Sequence, residues 1–208
     1  ACFLALDPGD HVIAPTVMYW ALRNWLSTFA QRWGLKVSLV DTTKLDELRA
    51  AIRPGQTKLV WLETPSNPLW DMTDIAAAAE IAHQAGAKLA VDSTVAATIF
   101  TQPLTLGADL VMHAATKYLN GHSDLVAGAL IAGSTLCAAG NLLTVDRTPT
   151  SGQPTNCPDV GVRPTDLFAR LAADPDSYWK RIRTIRSQGG GVLGSFEAWL
   201  LMRGLRTL

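Results

Sequence analysis

The sequence predicts an α/β fold in which helices cover both faces of a mostly parallel β-sheet. Segments with strand character alternate with segments in which apolar residues recur at helical intervals. The strand segments are apolar almost throughout, whereas a strand with one solvated face would alternate apolar and polar residues. Strand–helix alternation, together with strands buried on both faces, is typical of a parallel sheet sandwiched by helices.

Short apolar runs bounded by turn residues predict the strands. The turn Asp7-Pro8-Gly9-Asp10 precedes the first run, and Pro54-Gly55 precedes the third. We predict six strands, at residues 11–14, 36–40, 58–62, 88–91, 109–112 and 127–132.

Apolar residues at spacings of three and four predict the helices. Gly34 and Gly86 follow two of these segments and act as C-terminal caps. We predict helices at residues 18–33, 45–52, 71–85 and 178–187, a short crossover at 104–107, and a last helix that follows residues 189–191 and ends near Gly204.

The chain divides into three parts. Residues 1–133 carry the strand–helix pattern, and residues 175–208 read as the end of the same domain and a helix that links it to a further domain. Residues 134–174 contain four prolines and no hydrophobic period, which predicts a loop or an insertion. Two alternatives stay open for this stretch: disorder and translated non-coding sequence. Because the chain lacks an initiator methionine and starts with an apolar run, we expect a fragment that begins within a helix.

The composition argues against several classes of protein. Lys plus Arg equals Asp plus Glu, so the zero net charge gives no indication of a nucleic-acid partner. No apolar run reaches the roughly 18 residues of a membrane span. The three cysteines lie far apart, which argues against a disulfide framework and a zinc site, so we expect no metal and a cytoplasmic location.

Polar residues follow three of the predicted strands. They are Glu63 with Asn67, Asp92, and Thr116 with Lys117. Because ligands bind at the carboxyl ends of the strands in such sheets, we expect these residues to gather at one edge. Taken singly, each has an ordinary alternative as a turn residue, a helix cap or a solvated side chain. Lys117 is either a surface residue or an amine held in a pocket, where a lysine becomes a nucleophile toward aldehydes.

These residue types match the needs of an aromatic aldehyde cofactor, pyridoxal phosphate. Such a cofactor needs an amine, a carboxylate beside its ring nitrogen, a flat side chain over the ring and donors for its hydroxyl and phosphate. Lys117 can supply the amine and Asp92 the carboxylate. Tyr19, at the start of the first helix, can stack on the ring, although packing in the core is an alternative.

Several separate motifs carry a resemblance to a known family. They are A-T-K-Y-L-N-G-H-S-D around Lys117, V-D-S-T at residues 91–94, E-T-P-S-N-P at residues 63–68, and R-G-L-R-T-L at residues 203–208. The sequence resembles the Cys/Met-metabolism family of pyridoxal-phosphate enzymes, and most closely its cystathionine gamma-synthase-like group. The resemblance covers residues 1–133 and 176–208, and it implies the large domain of a fold-type I transferase.

The resemblance also implies roles for individual residues. Lys117 would bind the cofactor as an imine and then move protons, and Asp92 would hold the ring nitrogen. Tyr19 would stack on the ring and help to remove a proton from the incoming amino acid. Asn67 would contact the ring hydroxyl and Thr116 the phosphate.

Further expectations come from the same resemblance. Glu63 and Thr94 would line the pocket. Ala114 departs from the family pattern, which has a phosphate-binding serine there, so cofactor affinity would be weaker. The substrate would be a sulfur amino acid or an activated homoserine, undergoing replacement or elimination at its γ-carbon. The assembly would be a homodimer or homotetramer.

Two alternative functions remain. A non-catalytic relic of the same fold would keep the architecture but not the cofactor, and Ala114 favours it. A dinucleotide-dependent oxidoreductase would explain G-x-G-x-x-G at residues 189–194, but this motif follows a predicted helix and not a strand. The ordinary interpretation of these glycines is a flexible joint between two domains.

Overall fold

The computed structural model describes residues 1–133 and 178–208, and in these ranges it contains one six-stranded sheet. The strand order is β2-β1-β3-β4-β5-β6; the first five strands run parallel, and β6 runs antiparallel to β5. The strands are β1 His11–Pro15, β2 Lys36–Val40, β3 Thr57–Glu63, β4 Lys88–Asp92, β5 Leu110–His113 and β6 Ala129–Ala132. The prediction of a mostly parallel α/β sheet is therefore confirmed.

The central strands are buried on both faces, as their unbroken apolar runs predict. Alternate residues of one strand enter two separate cores: Val12 packs in the core that contains Phe3 and Leu26, whereas Ile13 packs in the core of the opposite face. All of β1 is buried, and so are six of the seven residues of β3. This double burial is what forces polar side chains to the ends of the strands.

The helices follow the predicted order with shifted ends, except for the short helix Ala97–Phe100, which was not predicted. They are α1 Trp20–Trp25, α2 Gln31–Trp33, α3 Leu45–Ala51, α4 Ile75–Gln84, α5 Ala97–Phe100, α6 Tyr178–Gln188 and α7 Ser195–Leu205. None of the helices within the described ranges is long and apolar enough to cross a membrane.

Three differences from the predicted helices have local causes. The first predicted helix contains a π-helical turn, Leu26–Ala30, between α1 and α2. α4 begins four residues later than predicted because the Asp74 side chain accepts a hydrogen bond from the Ala77 backbone and caps it. The start of the chain forms only a 3-10 turn, Phe3–Ala5, so the expectation that it begins within a helix is wrong. The predicted loop at residues 134–174 lies outside the described residues.

The last helix, α7, contacts the loop that carries Lys117. The Arg203 guanidinium donates to Asp124 Oδ2 at 2.7 Å, and the Asn120 amide donates to Asp124 Oδ1 at 2.9 Å. Gly204 lies against the Asn120 backbone: a Cβ atom at Gly204 would overlap the Asn120 carbonyl oxygen and lie 2.7 Å from its Cα. The glycine therefore allows a close approach that fixes this loop against the helix.

Because of this contact, we predict that Gly204→Ala lowers the free energy of unfolding, although the same substitution usually raises it within a helix. In the interior of an ordinary helix, alanine is more stable than glycine by about 1 kcal/mol. Here the added methyl group overlaps a backbone, so we expect a loss of about 1–3 kcal/mol in the free energy of unfolding. Urea denaturation of both proteins measures the change, and a more stable variant would contradict the close contact.

Candidate cofactor-binding site

The carboxyl ends of three neighbouring strands bring the predicted polar residues to one edge of the sheet. In the strand register Glu63 lies beside Asp92, and Asp92 lies beside Met112. The chain stays in register just past these ends, because the Ser93 amide donates to the Met112 carbonyl at 3.0 Å. The expected gathering of these residues at one edge of the sheet is what the structure shows.

Asp92 is a buried carboxyl group without a cationic partner. Asp92 is 6% exposed, and none of the ion pairs within the described ranges involves its carboxyl group. Burial raises the pKa of the Asp92 carboxyl above its ordinary value, and hydrogen bonds from the side chain and backbone of Thr94 oppose this rise. A buried carboxylate in this state can be stabilised by a cation that enters from the edge of the sheet.

Thr94 connects Asp92 to the strand that leads to the lysine. Its hydroxyl group donates to Asp92 Oδ1, and its backbone N–H donates to the same oxygen at 3.0 Å. The same hydroxyl oxygen accepts a hydrogen bond from the Ala114 backbone at 2.8 Å. One threonine side chain therefore fixes the distance between the carboxylate and the segment that follows β5.

Lys117 lies on this segment, three residues after Ala114. Its backbone N–H donates to the Ala114 carbonyl at 2.9 Å, which forms a tight turn. Within the described part of the chain Lys117 is exposed, which matches the alternative of a surface residue. The burial of a lysine cannot be read from its flanking residues, because it depends on what covers the edge of the sheet. The exposed amine is accessible to an aldehyde on the same edge as Asp92.

Thr116, the predicted phosphate contact, uses its hydroxyl group within its own loop. The Oγ1 atom donates to the Ala127 carbonyl at 3.2 Å and accepts from the Ala127 N–H at 2.9 Å. A hydroxyl group has one proton to donate. Thr116 would therefore have to give up the bond to the Ala127 carbonyl in order to donate to a phosphate.

Glu63 joins the two remaining candidates. Its Oε2 atom accepts from the Tyr19 backbone N–H at 2.8 Å, and its Oε1 atom accepts from the Asn67 backbone N–H at 2.9 Å. Tyr19 is 47% exposed, so packing in the core, the ordinary alternative for this tyrosine, is excluded. The Asn67 side chain is also exposed. The backbones of Tyr19 and Asn67 thus both lie at the end of β3, next to the strand that ends in Asp92.

This set of groups fits pyridoxal phosphate. The cofactor carries a ring nitrogen that a carboxylate keeps protonated, and the buried, unpaired Asp92 would supply that carboxylate. Lys117 would supply the amine, Tyr19 the flat ring, and Asn67 a donor for the ring hydroxyl. In the described ranges no group of three or more His, Cys, Asp or Glu side chains could hold a metal ion.

The family resemblance predicted that Glu63 and Thr94 line the pocket, but it did not predict their contacts. Both act through backbone groups of residues that are distant in the chain: Glu63 contacts the amide of Tyr19, and Thr94 contacts that of Ala114. The only available signal was their location, at or just after a strand end that also carries a candidate residue. The geometry of a side chain toward a distant backbone leaves no pattern in a sequence.

Comparison with known proteins shows the family of the chain. The fold and the site define a pyridoxal-phosphate-binding α/β domain. The chain belongs to the Cys/Met metabolism PLP-dependent enzyme family, whose model matches residues 1–208. The prediction of this family and of its cofactor is confirmed.

Several relatives bear names from sulfur amino-acid metabolism. A cystathionine gamma-lyase of Bacillus subtilis is 35% identical over 208 residues, which are 100% of this chain and 44% of that protein. A cystathionine gamma-synthase of Mycobacterium tuberculosis is 36% identical over 203 residues, 98% of this chain and 42% of that protein. The crystal structure of metB from Corynebacterium glutamicum matches with a TM-score of 0.73 and 31% identity, covering 98% of this chain and 42% of that one. The chain thus spans less than half the length of these relatives.

The contacts of Thr94 lead to a prediction about stability. Thr94→Val removes a donor from Asp92 and leaves the Ala114 N–H without a partner, so we expect a loss of about 1–3 kcal/mol in the free energy of unfolding. Thr94→Ser keeps the hydroxyl group and should lose less than half of that. The control is Thr105→Val, whose exposed hydroxyl only closes a local turn. Equal stability of the valine and serine variants in urea denaturation would contradict the bridge.

Proposed function

We propose that this chain is the cofactor-holding part of an enzyme that makes or breaks carbon–sulfur bonds in amino acids with the aid of pyridoxal phosphate. The observation that carries the proposal is the buried, unpaired carboxyl group of Asp92, which Thr94 ties to the backbone three residues before Lys117. Family membership supports the cofactor, and the names of the relatives support the class of reaction.

Each residue of the site has a task that follows from its environment. Asp92 holds a proton on the ring nitrogen, because a carboxylate in a poorly solvated site strongly attracts a cation. Tyr19 covers the ring, and Asn67 donates to the ring hydroxyl. When bound, pyridoxal phosphate accepts electrons and so stabilises negative charge at the α-carbon of an amino acid.

Lys117 and Tyr19 are the residues that we assign to proton transfer. The amine of Lys117 would hold the cofactor and would also carry protons between the α- and β-carbons of the substrate. The Tyr19 hydroxyl would take a proton from the incoming amino group. Removal of the α and β protons allows a substituent to leave the γ-carbon, which is the type of chemistry that the relatives' names indicate.

The substrate class that we propose is a sulfur amino acid, such as cystathionine, or an activated homoserine. We also propose a homodimer or a homotetramer that works in the cytoplasm. Large apolar side chains near the site support an assembly of subunits: Trp20 is 71% exposed, and Leu69 and Trp70 are 63% and 62% exposed. The reducing cytoplasm is consistent with Cys2, which is a buried free cysteine.

A non-catalytic relic is the second candidate, and two observations favour it. Ala114 offers no hydroxyl group where the family has a serine, and Thr116 directs its hydroxyl to the Ala127 carbonyl. A phosphate would then lack two donors. Binding of the cofactor decides between the two candidates.

Absorbance titration with pyridoxal phosphate tests the proposed function. We expect the native chain to develop the visible band of a lysine–cofactor imine, because Lys117 is accessible on the edge that carries Asp92. Lys117→Ala should lose the band at every cofactor concentration. Lys58→Ala, which removes another exposed lysine from the same sheet, should keep it. If the native chain shows no band, or if both variants keep it equally, the relic is the better account.

A further inference from the structure

The environment of Glu63 sets it apart from the other candidate residues. It is the last residue of β3 and is 5% exposed, and no ion pair among the described residues involves it. Desolvation, and then the neighbouring Asp92 carboxyl, raise the pKa of the Glu63 carboxyl, while the two backbone hydrogen bonds oppose this rise. A buried acid in a candidate active site would ordinarily suggest acid–base catalysis.

The hydrogen bonds of Glu63 favour a different role. Each of its two oxygens accepts from a backbone N–H, one from Tyr19 and one from Asn67. The two donors lie on different connections, one between β1 and α1 and the other between β3 and α4. The carboxylate therefore bridges two loops, because each of its oxygens accepts a hydrogen bond from a different one.

Support of the Tyr19 and Asn67 backbones matters because burial does not hold either side chain in place. Tyr19 is 47% exposed and the Asn67 side chain is exposed, so neither is fixed by burial in a core. In the proposed function these two side chains meet the cofactor ring, one on its face and one at its hydroxyl group. A group that fixes both backbones also fixes where both side chains begin.

Only an ionised carboxylate can make both bonds well. A carboxylate has acceptors on both oxygens, whereas a protonated acid or an amide carries a donor on one side. With Glu63→Gln, the amide NH2 would face either the Tyr19 or the Asn67 N–H, and that contact would be repulsive. With Glu63→Asp, the charge remains but the side chain is one methylene shorter.

We propose that Glu63 is a positioning residue that sets Tyr19 and Asn67 at the cofactor ring through their backbones, and that it does not itself contact the substrate. The proposal rests on the proposed function. In this role the buried carboxylate of Glu63 neither transfers a proton nor contacts the cofactor.

Titration of cofactor affinity in four proteins tests the proposal. We expect Glu63→Gln to bind pyridoxal phosphate roughly 10- to 100-fold more weakly than the native chain, the range for loss of a hydrogen bond to a charged group. The cofactor affinity of Glu63→Asp should lie between those of Glu63→Gln and the native chain. Glu80→Gln, a change of the same chemistry on an exposed part of α4, should bind as the native chain does. Unchanged affinity in Glu63→Gln would overturn the proposal.

A double-mutant cycle separates positioning from a general loss of stability. In the Asn67→Ala variant one of the two positioned side chains is absent. There, Glu63→Gln should lower the cofactor affinity by a clearly smaller factor than it does in the native chain. If the factors multiply independently, Glu63 acts only on stability and the proposal is wrong. Failure of the native chain to bind pyridoxal phosphate would instead refute the proposed function, so the two failures are distinguishable.

Hydrogen exchange tests the bridge without any substitution. We expect the backbone amides of Tyr19 and Asn67 to be protected from exchange although their side chains are exposed, because both amides donate to a buried acceptor. Exchange of both amides at the rate of a solvated loop would overturn the proposal even if Glu63→Gln failed to fold.

Discussion

The structure depends on one constraint: a carboxyl group buried at the end of a parallel strand without a cation beside it. Burial of both faces of β4 confines the polar side chains of that strand to its two ends, Lys88 and Asp92. A charge in such a place is costly unless it is hydrogen-bonded or paired. Thr94 supplies the hydrogen bonds, and the proposed cofactor supplies the charge. The family to which the chain belongs is consistent with this requirement.

Two polar side chains join the strand ends into one rigid edge. Glu63 links the connection after β1 to the connection after β3, and Thr94 links the end of β4 to the segment after β5. Both contact backbone N–H groups, so they fix the chain itself and not only its side chains. The exposed residues Tyr19, Asn67 and Lys117 can therefore stand at defined places although solvent surrounds them. The close contact between Gly204 and Asn120 also supports the loop that carries Lys117.

The sequence predicted the sheet well because continuous apolar runs such as residues 59–62 can be buried in few ways. It also placed Glu63, Asp92 and Lys117 at one edge, since the ends of parallel strands meet. It left open whether Lys117 is exposed, because exposure depends on neighbours that are distant in the chain. Nor could it show that the hydroxyl group of Thr116 is bonded to Ala127 or that Glu63 bridges two loops, because such contacts depend on three-dimensional geometry. The helix α4 begins later than predicted because Asp74 caps it. The sequence contains this cap, but the apolar pattern extends beyond it and so predicted a longer helix.

The ionisation of Asp92 tests the central claim most directly. Carboxyl-carbon NMR, with the Asp92 signal assigned by its loss in Asp92→Asn, gives the pKa with and without pyridoxal phosphate. In the free chain, burial places this pKa above the ordinary value of 3.8. Binding of the cofactor should lower it, because a protonated ring nitrogen beside the carboxylate stabilises the charged form. A midpoint that stays the same or rises when the cofactor binds would show that Asp92 does not meet the ring nitrogen, and would contradict the account.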